Sequence, residues 1–461
     1  MLSNLIQQQS GAKYVRIAAG IELAVKKGVL QSGDALPPQR ELADQLGVTL
    51  GTVSRGYGEA EKRGLIRGET GRGTFVRLQE HDQFSLHSLH NQPDRDSMSV
   101  IQFDLNFPVQ HGSPDISGAL KQLAQRHDLA ELLDYRPSSG LMRHRKIAAA
   151  WLKNLGMDGT PEQIAVCGGV QHGLQIVLMS QFKAGETLAV EQYSYPGLIN
   201  LAAHHGIRLV PVAMDGWGLR PDSLQAIARQ QRLKGIYLMP TLQNPTAVTM
   251  PAKRRLELAS VIKKLDICLI EDDVYGALAD ECQQPISAHI PERSFYLTSL
   301  SKILAPGLRV GFLRMPDESA AMVEAAMAAS IWLIPPLMAE IGTQWIDDGT
   351  ATQVAQIKKL EATRRCDLIR EHLTSIPIRS NKGSHHLWLQ LPPGWQGESF
   401  ARRAASKGVA VIPSVNFSAS AHPEHQAIRL CIGPPKSDEE LIHGAGLLNE
   451  ILSQATVQNL L

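Results

Sequence analysis

Residues 299–311 read SLSKILAPGLRVG, and their pattern is the strongest indication of the fold of most of the chain. Lys302 stands between small hydroxyl residues and a Pro-Gly turn, directly after the apolar residues 295–297, which the pattern predicts as a buried strand. A lysine in that position is poorly placed as a surface charge and well placed to form a Schiff base. The neighbouring side chains supply hydroxyl and guanidinium donors that suit a phosphate group: Ser299, Ser301 and Arg309.

On both sides of this stretch, short apolar runs alternate with helical segments. The runs predicted as buried strands are 164–166, 187–190, 209–212, 236–239 and 267–270, and the clearest helices between them are 174–182 and 253–264. This alternation predicts an α/β domain with a largely parallel sheet, its large lobe over about 151–315. Residues 320–461 predict a smaller lobe of helices and a few strands, at 386–389, 409–412 and 427–431.

The stretch 299–311 closely resembles the cofactor-lysine motif of fold-type I aminotransferases, which depend on pyridoxal phosphate. Other motifs of that family follow in the required order, and the resemblance covers nearly all of residues 101–461. It implies that pyridoxal 5′-phosphate is the cofactor and that Lys302 is the catalytic residue, which holds the cofactor as an aldimine. It also assigns Ser299, Ser301 and Arg309 to cofactor binding.

A glycine-rich turn is the second motif. Gly168 to Gln171 follow a predicted strand and open a helix, so that backbone amides and the helix N-terminus can hold a phosphate. Taken alone, such a turn is a weak signal. Within the resemblance it adds three cofactor-binding residues: Gly169, Val170 and Gln171.

Two further motifs correspond to residues around the cofactor ring. Tyr195 matches the aromatic residue that stacks on the ring, with Tyr193 as a nearby competitor. Asn244, in Asn-Pro-Thr, matches the residue that hydrogen-bonds the ring hydroxyl. The glycine that usually follows is replaced by Ala247.

An acidic pair closes the predicted strand 267–270. By resemblance, Asp272 pairs with the pyridine nitrogen and Tyr275 with the ring oxygen. A carboxylate there keeps the nitrogen protonated, so that the ring can accept electrons from the substrate. Asp273 is one residue away and is the alternative partner.

Two residues extend the resemblance to the effector and to a second subunit. Arg429, on a predicted strand, matches the arginine that binds a substrate α-carboxylate through two parallel hydrogen bonds. Tyr135, in Tyr-Arg-Pro-Ser-Ser-Gly, resembles a segment that the family donates to the neighbouring subunit's active site. The resemblance therefore implies a homodimer with shared sites.

The head of the chain has a different pattern, carried by LPPQRELADQLGVTLGTVSRGYGEAEKRGLIRGETGRGTFV at 36–76. The helices that it and the preceding residues predict are 12–27, 39–46 and 49–64. The strands of a two-stranded wing are predicted at 65–67 and 74–76, around the tip Gly71-Arg72-Gly73. The pattern indicates a winged helix-turn-helix and resembles the GntR family of transcription factors.

This fold places the second helix of the motif in the DNA major groove and the wing in the minor groove. The residues expected to contact double-stranded DNA are Arg40, Thr49, Thr52, Arg55 and Arg72. Leu50 and Ser54 stand where many GntR proteins have arginines, so base reading is not transferable at those two positions. Three glycines weaken the helix by roughly 0.5–1 kcal/mol each relative to alanine: Gly51, Gly56 and Gly58.

Charge and composition agree with this division. The whole chain balances 46 basic against 45 acidic residues, but residues 1–77 carry 11 basic and 7 acidic ones, and the polar linker 78–100 carries one and four. Five widely spaced cysteines without a CxxC pair exclude a disulfide framework and a zinc ribbon. The histidine pairs fit no common metal-ligand spacing, so no metal is expected. With no secretory or membrane-spanning stretch, the expected location is the cytoplasm.

The expected architecture is thus multidomain: a winged helix-turn-helix at 1–77, a linker at 78–100 and an aminotransferase-like domain at 101–461. That layout resembles the MocR subfamily of GntR regulators. It implies a regulator that senses an amino acid or pyridoxal phosphate through Lys302. The alternative is a working aminotransferase with an accessory DNA-binding head, and a cofactor-free body is disfavoured because every motif is present.

Overall fold

The computed structural model describes residues 2–9, 11–26, 29–30, 34–62, 65–69, 73–76, 100–280, 283–420 and 425–458. The chain divides into two compact units, Met1–Pro93 and Asp94–Leu461. Residues 77–99, which include almost all of the expected linker, lie outside the described residues, as do Gly71 and Arg72 of the expected wing tip. The domain and lobe boundaries given above therefore stay predictions.

The first unit has the elements of a winged helix-turn-helix. Its helices are α1 (Leu2–Gln7), α2 (Lys13–Lys26), α3 (Gln39–Leu46) and α4 (Leu50–Lys62), and its antiparallel strands are β1 (Ile66–Glu69) and β2 (Gly73–Val76). Gly47 ends α3 in the left-handed conformation, with φ of 62°. Thr49 caps α4 as predicted, because its hydroxyl accepts a hydrogen bond from the amide of Thr52 at 3.3 Å.

The glycines of α4 have different surroundings. A Cβ atom on Gly56 would lie 2.7 Å from Cβ of Ile17, so the absence of a side chain lets α4 approach α2 closely. A Cβ atom on Gly51 or Gly58 would contact nothing within 4 Å. Gly56 is therefore a packing requirement, whereas the other two glycines only weaken the helix.

The second unit contains eleven helices among the described residues. They are α5 (Ile116–Ala124), α6 (Met142–Asn154), α7 (Val170–Gln181), α8 (Pro196–His204), α9 (Pro221–Gln230), α10 (Ala252–Leu265), α11 (Ala320–Ser330), α12 (Pro336–Asp347), α13 (Thr350–His372), α14 (Gly397–Ser406) and α15 (Asp438–Gln458).

The strands of this unit follow the same numbering along the chain. They are β3 (Ile101–Gln102), β4 (Ile164–Cys167), β5 (Thr187–Glu191), β6 (Arg208–Val212), β7 (Met214–Asp215), β8 (Gly218–Leu219), β9 (Gly235–Leu238), β10 (Cys268–Asp272), β11 (Ser294–Ser299), β12 (Gly311–Arg314), β13 (Ile378–Arg379), β14 (His386–Gln390), β15 (Val409–Ala410), β16 (Ile412–Pro413) and β17 (Ala427–Cys431).

A seven-stranded sheet forms the centre of the large lobe, in the order β4-β12-β11-β10-β9-β5-β6. All neighbours pair in parallel except β12, which is antiparallel to both of its neighbours. The α/β architecture with a largely parallel sheet is thus confirmed. Because strands β10 and β11 are parallel, the polar residues at their carboxyl ends lie on the same side of the sheet, beyond the ends of the strands.

The small lobe has its own core around the antiparallel sheet β13-β14-β17-β16. The run 409–412, predicted as one strand, is divided: β15 pairs with β3, whereas β16 pairs with β17. One short apolar run thus serves two sheets, which its local sequence does not reveal. Residues from the very beginning of the unit, in β3, therefore join a core otherwise built from the C-terminal part of the chain.

No helix among the described residues is long and apolar enough to cross a membrane.

Candidate functional site

Lys302 follows the carboxyl end of β11 and is half-buried there. Its amino group donates a hydrogen bond to the backbone carbonyl of Asn106. Burial lowers the pKa of Lys302 to about 8, because the protonated amine loses solvation there. The site therefore favours a neutral, nucleophilic amine much more than water does.

The two adjacent carboxyl groups of the acidic pair have different partners. Asp272 is buried at the end of β10, accepts a hydrogen bond from the Tyr237 hydroxyl at 2.8 Å, and interacts electrostatically with Lys302. Burial raises the pKa of Asp272 to about 7. Asp273 instead accepts a hydrogen bond from the Tyr296 hydroxyl at 2.5 Å. Asp272 is thus the one of the pair that lies in the electrostatic environment of Lys302.

Tyr275 is fully buried close to the same lysine. Its hydroxyl accepts a hydrogen bond from the amide nitrogen of Asn106 at 2.6 Å. Burial raises the pKa of this phenol well above its usual value, so it stays protonated. Asn106 therefore links Tyr275 to Lys302, through its side chain on one side and its carbonyl on the other.

The glycine-rich turn and Arg309 meet at the N-terminus of α7. Gly169 precedes this helix with φ of 84°, a conformation that favours glycine, and a Cβ atom there would lie 3.0 Å from a guanidinium nitrogen of Arg309. Arg309 donates a hydrogen bond to the Gly168 carbonyl at 2.7 Å. Free helix-terminal amides beside an exposed guanidinium form a cradle for an anion.

Orphaned polar atoms test whether this cradle fits a phosphorylated cofactor. The Ser301 hydroxyl and the amide oxygen of Gln171 are buried without a hydrogen-bond partner among the described residues. The Ser299 hydroxyl accepts from the Ser301 amide at 3.0 Å. The Ser301 hydroxyl can donate to a phosphate, so it fits the phosphate group of pyridoxal phosphate. The Gln171 oxygen is itself an acceptor, so Gln171 has only its helix-terminal backbone amide to offer a phosphate.

The two candidate ring-stacking tyrosines lie in different places. Tyr195 stands at the N-terminus of α8, and burial raises its pKa to about 12, with electrostatic contributions from Asp272 and Arg309. Tyr193 is packed against Trp388 with ring centroids 5.3 Å apart, and its hydroxyl donates to the His425 carbonyl. Tyr195 is thus in electrostatic contact with Asp272 and with Arg309 of the cradle, whereas Tyr193 packs against the small lobe.

Arg429 is buried on β17 and is held from two sides. It donates hydrogen bonds to the side-chain oxygen of Asn244 at 3.0 Å and to the carbonyl of Asp104 at 2.6 Å. Its guanidinium carbon lies 4.8 Å from the centroid of the Phe417 ring. A buried guanidinium with neutral partners is suited to a carboxylate that arrives with a ligand.

Tyr135 lies away from these groups within its own subunit. Its side chain is 89% exposed and meets Trp332 edge-on, with ring centroids 6.3 Å apart. Leu133 and Trp332 are also exposed, at 88% and 55%. Large apolar side chains exposed together are typical of a surface that another protein covers.

Sequence reasoning missed several residues that the structure brings to this site. They are Asp104, Asn106, Tyr237, Gln243, His386 and Cys431. A weak signal was present for two of them, because Cys431 is two residues from Arg429 on β17 and Asp104 alternates with buried apolar residues. Gln243 directly precedes the Asn-Pro-Thr turn, and Tyr237 and His386 lie on predicted strands, but no motif singled them out. Asn106 lies in a segment without a motif.

In the first unit, the expected DNA contacts lie along α3 and α4. Arg40, Thr49 and Arg55 are exposed, and Thr52 is half-buried. The Arg55 guanidinium lies 4.6 Å from the centroid of the Tyr14 ring, which holds this arginine against α2. Arg72, the expected wing contact, is outside the described residues.

Comparison with protein families identifies both parts of the chain. Residues 99–445 match the family of class I and II aminotransferases, and residues 13–76 match the gntR family of bacterial regulatory proteins. The structure is similar to that of an archaeal alanine:glyoxylate aminotransferase, with a TM-score of 0.75 and 23% identity over 86% of this chain and 98% of the other.

Two relatives are named as transcriptional regulators. The uncharacterized HTH-type transcriptional regulator YdeF of Bacillus subtilis is 27% identical, over 96% of this chain and 95% of its own length. The HTH-type pyridoxine biosynthesis transcriptional regulator PdxR of Corynebacterium glutamicum is 30% identical over 65% of each chain. The chain therefore belongs to the class I and II aminotransferase family and, through its GntR-type head, to the MocR type of GntR transcriptional regulators.

Proposed function

We propose that this protein regulates transcription by binding DNA through its head and by sensing an amino acid through its aminotransferase-like body, with pyridoxal 5′-phosphate as cofactor. One observation carries the proposal: a helix-turn-helix precedes a body in which Lys302, Asp272, the α7 cradle and Arg429 surround one site. The head and the full-length regulator relatives speak against the alternative of an aminotransferase with an accessory head.

The cofactor supplies an electrophilic carbon and an electron-accepting ring. Lys302 would hold it covalently, and its low pKa keeps the amine ready to react. The cradle of Gly169, Val170 and Arg309 would bind the phosphate, together with Gln171, Ser299 and Ser301. Tyr195 would cover the ring.

The remaining ring contacts are proposed from the geometry of the acidic pair. Asp272 would receive the pyridine nitrogen, since its carboxyl group is in electrostatic contact with both Lys302 and Tyr195. Asn244 and Tyr275 would hold the ring oxygen. A protonated pyridine nitrogen stabilises the charge of Asp272, whose pKa burial raises to about 7 in the chain alone.

An amino-acid effector would bind its α-carboxylate to Arg429 and displace Lys302 from the cofactor. Both events change contacts that cross from the large lobe to the small one, since Arg429 is on β17 and Asn244 follows β9. A ligand that prefers one arrangement of the lobes shifts the population toward it. We propose that this shift alters the spacing of two heads on DNA.

The proposed assembly is a homodimer, supported by the exposed Leu133, Tyr135 and Trp332. By the family resemblance, Tyr135 would reach the partner subunit's site. A bacterial regulator also has to share a compartment with its DNA, which favours the cytoplasm as the location.

The decisive experiment is an absorption titration of the purified protein. We expect a long-wavelength band of lysine-bound cofactor that borohydride removes and that Lys302→Ala lacks, and that particular amino acids shift. Arg429→Leu should keep the band and lose the shift, because it removes the guanidinium that would bind the α-carboxylate. Absence of the band after adding pyridoxal phosphate would overturn the proposal, and full conversion to the amine form would favour the enzyme.

A further inference from the structure

The segment 101–106 lies beside β17. Ile101, Phe103 and Leu105 are buried, whereas Asp104 and Asn106 are half-buried. The strand β3 ends at Gln102, and the chain bends at Asp104 and Leu105. The Cys431 amide donates to the Phe103 carbonyl at 2.8 Å, which holds the segment against β17.

Asp104 and Asn106 lie at the effector end of the site. The Asp104 carbonyl accepts from Arg429 at 2.6 Å, and the Asn106 carbonyl accepts from Lys302. The backbone of the segment is therefore bonded to Arg429, the residue proposed to bind the α-carboxylate, and to Lys302, the residue proposed to hold the cofactor. An amino acid bound between those two groups would have its own side chain beside this segment.

Both residues carry a side-chain oxygen to which no group in the described parts of the chain donates a hydrogen bond. Oδ1 of Asp104 and Oδ1 of Asn106 are buried and have no hydrogen-bond partner among the described residues. The amide nitrogen of Asn106 is already committed to Tyr275 at 2.6 Å, which leaves this oxygen as the free end of the amide. Buried acceptors without donors are costly, and a ligand that donates to them relieves the cost.

His386 adds a third acceptor. Its Nε2 lies 3.0 Å from the Gln243 carbonyl, so Nε2 carries the hydrogen, and Nδ1 is a bare acceptor with no partner in the described parts of the chain. Burial lowers the pKa of His386 to about 3, so the ring remains neutral. This ring lies 5.7 Å from the Tyr275 ring and interacts electrostatically with Arg429 and Lys302.

The charges of the site decide which donor fits. In the free protein, burial raises the pKa of the Asp104 carboxyl group, whereas its own backbone amide and the nearby Arg429 favour its charged form. Once the α-carboxylate of an effector binds Arg429, that cation is neutralised and Asp104 becomes an uncompensated buried acid. An acidic effector side chain would add a second negative charge, whereas an ammonium or guanidinium would restore the balance.

We propose that Asp104, Asn106 and His386 form an acceptor face that binds the effector's side chain and selects an amino acid whose side chain is cationic. This rests on the proposed function, because it needs an amino acid bound between Arg429 and Lys302. The face offers three acceptors and one negative charge, which match the donors and the charge of a diamino acid.

The test compares ligands of similar size that differ in side-chain charge, on the cofactor-loaded protein. L-lysine, L-norleucine and L-glutamate are titrated by calorimetry and by the absorbance of the lysine-bound cofactor. We expect L-lysine to bind at least about tenfold more tightly than L-norleucine, which lacks only the amino group, and L-glutamate to bind most weakly. Equal affinity of lysine and norleucine, or tighter binding of glutamate, overturns the acceptor face.

The variant Asp104→Asn keeps the shape and removes the charge. We expect it to reduce the lysine-to-norleucine affinity ratio about tenfold, while Asp347→Asn, an exposed carboxylate on α12, leaves the ratio as in the wild type. An unchanged ratio in Asp104→Asn contradicts the proposal. If several amino acids shift the absorbance without regard to side-chain charge, only the acceptor face fails; if none does, amino-acid sensing itself fails with it.

Discussion

At the scale of single residues, burial accounts for the reactivity of the site. Lys302 has its pKa lowered to about 8 because its surroundings do not solvate a charged amine. Burial raises the pKa of Asp272 to about 7, because the charged carboxylate also loses solvation there. Both groups are thus poised to change protonation when a cofactor arrives, which residues on the surface would not be.

The pKa of Lys302 predicts how cofactor loading depends on pH. Only the neutral amine attacks an aldehyde, so the rate at which pyridoxal phosphate joins the cofactor-free protein should rise about tenfold per pH unit below 8 and level off above it. Borohydride trapping at timed intervals measures this rate. A rate that keeps rising to pH 10 would show that Lys302 titrates like a lysine in water.

At the scale of elements, the helix α4 shows how packing and propensity compete. Gly56 and Gly58 lie in the same helix and have the same intrinsic cost. Gly56 faces Ile17 of α2 at a distance that no side chain allows, whereas Gly58 has open space around its Cα atom. The two positions should therefore respond oppositely to an added methyl group.

Gly58→Ala should stabilise the head by about 0.5–1 kcal/mol, because alanine loses less conformational entropy on entering the helix. Gly56→Ala should destabilise it by about 1–3 kcal/mol, because the new methyl group overlaps Ile17. Differential scanning calorimetry of the full chain, with the head transition resolved, measures both. Equal effects of the two changes would contradict the close approach of α2 and α4.

The surface of α3 makes a separate prediction about DNA. Arg40 is exposed at the start of this helix, where it can neutralise a phosphate. Arg40→Ala should weaken binding to the protein's own promoter region and to DNA of other sequences by the same factor. It should also reduce the slope of log affinity against log salt by about 1. Arg229→Ala, in the second unit, is the matched control and should change neither quantity.

At the scale of the whole molecule, an exposed apolar surface needs a partner. Leu133 and Tyr135 are 88% and 89% exposed beside Trp332, in a chain whose other large apolar side chains are mostly buried. Burying this surface against a second copy would stabilise the assembly and bring Tyr135 toward the other subunit. The expected homodimer would thus complete each site as well as place two heads on one DNA.

Leu133→Arg should convert the dimer to monomers, because a charge would have to be buried without a partner in the interface. Sedimentation velocity at micromolar concentration measures the change. Leu256→Arg, on α10, replaces a leucine that is 53% exposed and serves as the control that should leave the dimer intact. Retention of the dimer in Leu133→Arg would place the interface on another surface.

Much of this could be predicted from the sequence, because it depends on residues that are close in the chain. The Lys302 stretch, the Asn-Pro-Thr turn and the helix-turn-helix are contiguous, and each carries its own chemistry or periodicity. The buried strands β4, β5, β9 and β10 are short apolar runs, whose length and flanking residues predict strands directly. Family, fold class and cofactor followed from these local patterns.

Only the tertiary structure decided which distant residues share a site. Asp104 and Arg429 are 325 positions apart and have no common motif, yet the pairing of β3 with β15 and the bond from Cys431 to Phe103 place them together. The sequence likewise leaves open which of Asp272 and Asp273 pairs with the cofactor, and the structure supports Asp272 through its electrostatic contact with Lys302. Local sequence encodes the elements, whereas long-range pairing determines which of their faces meet.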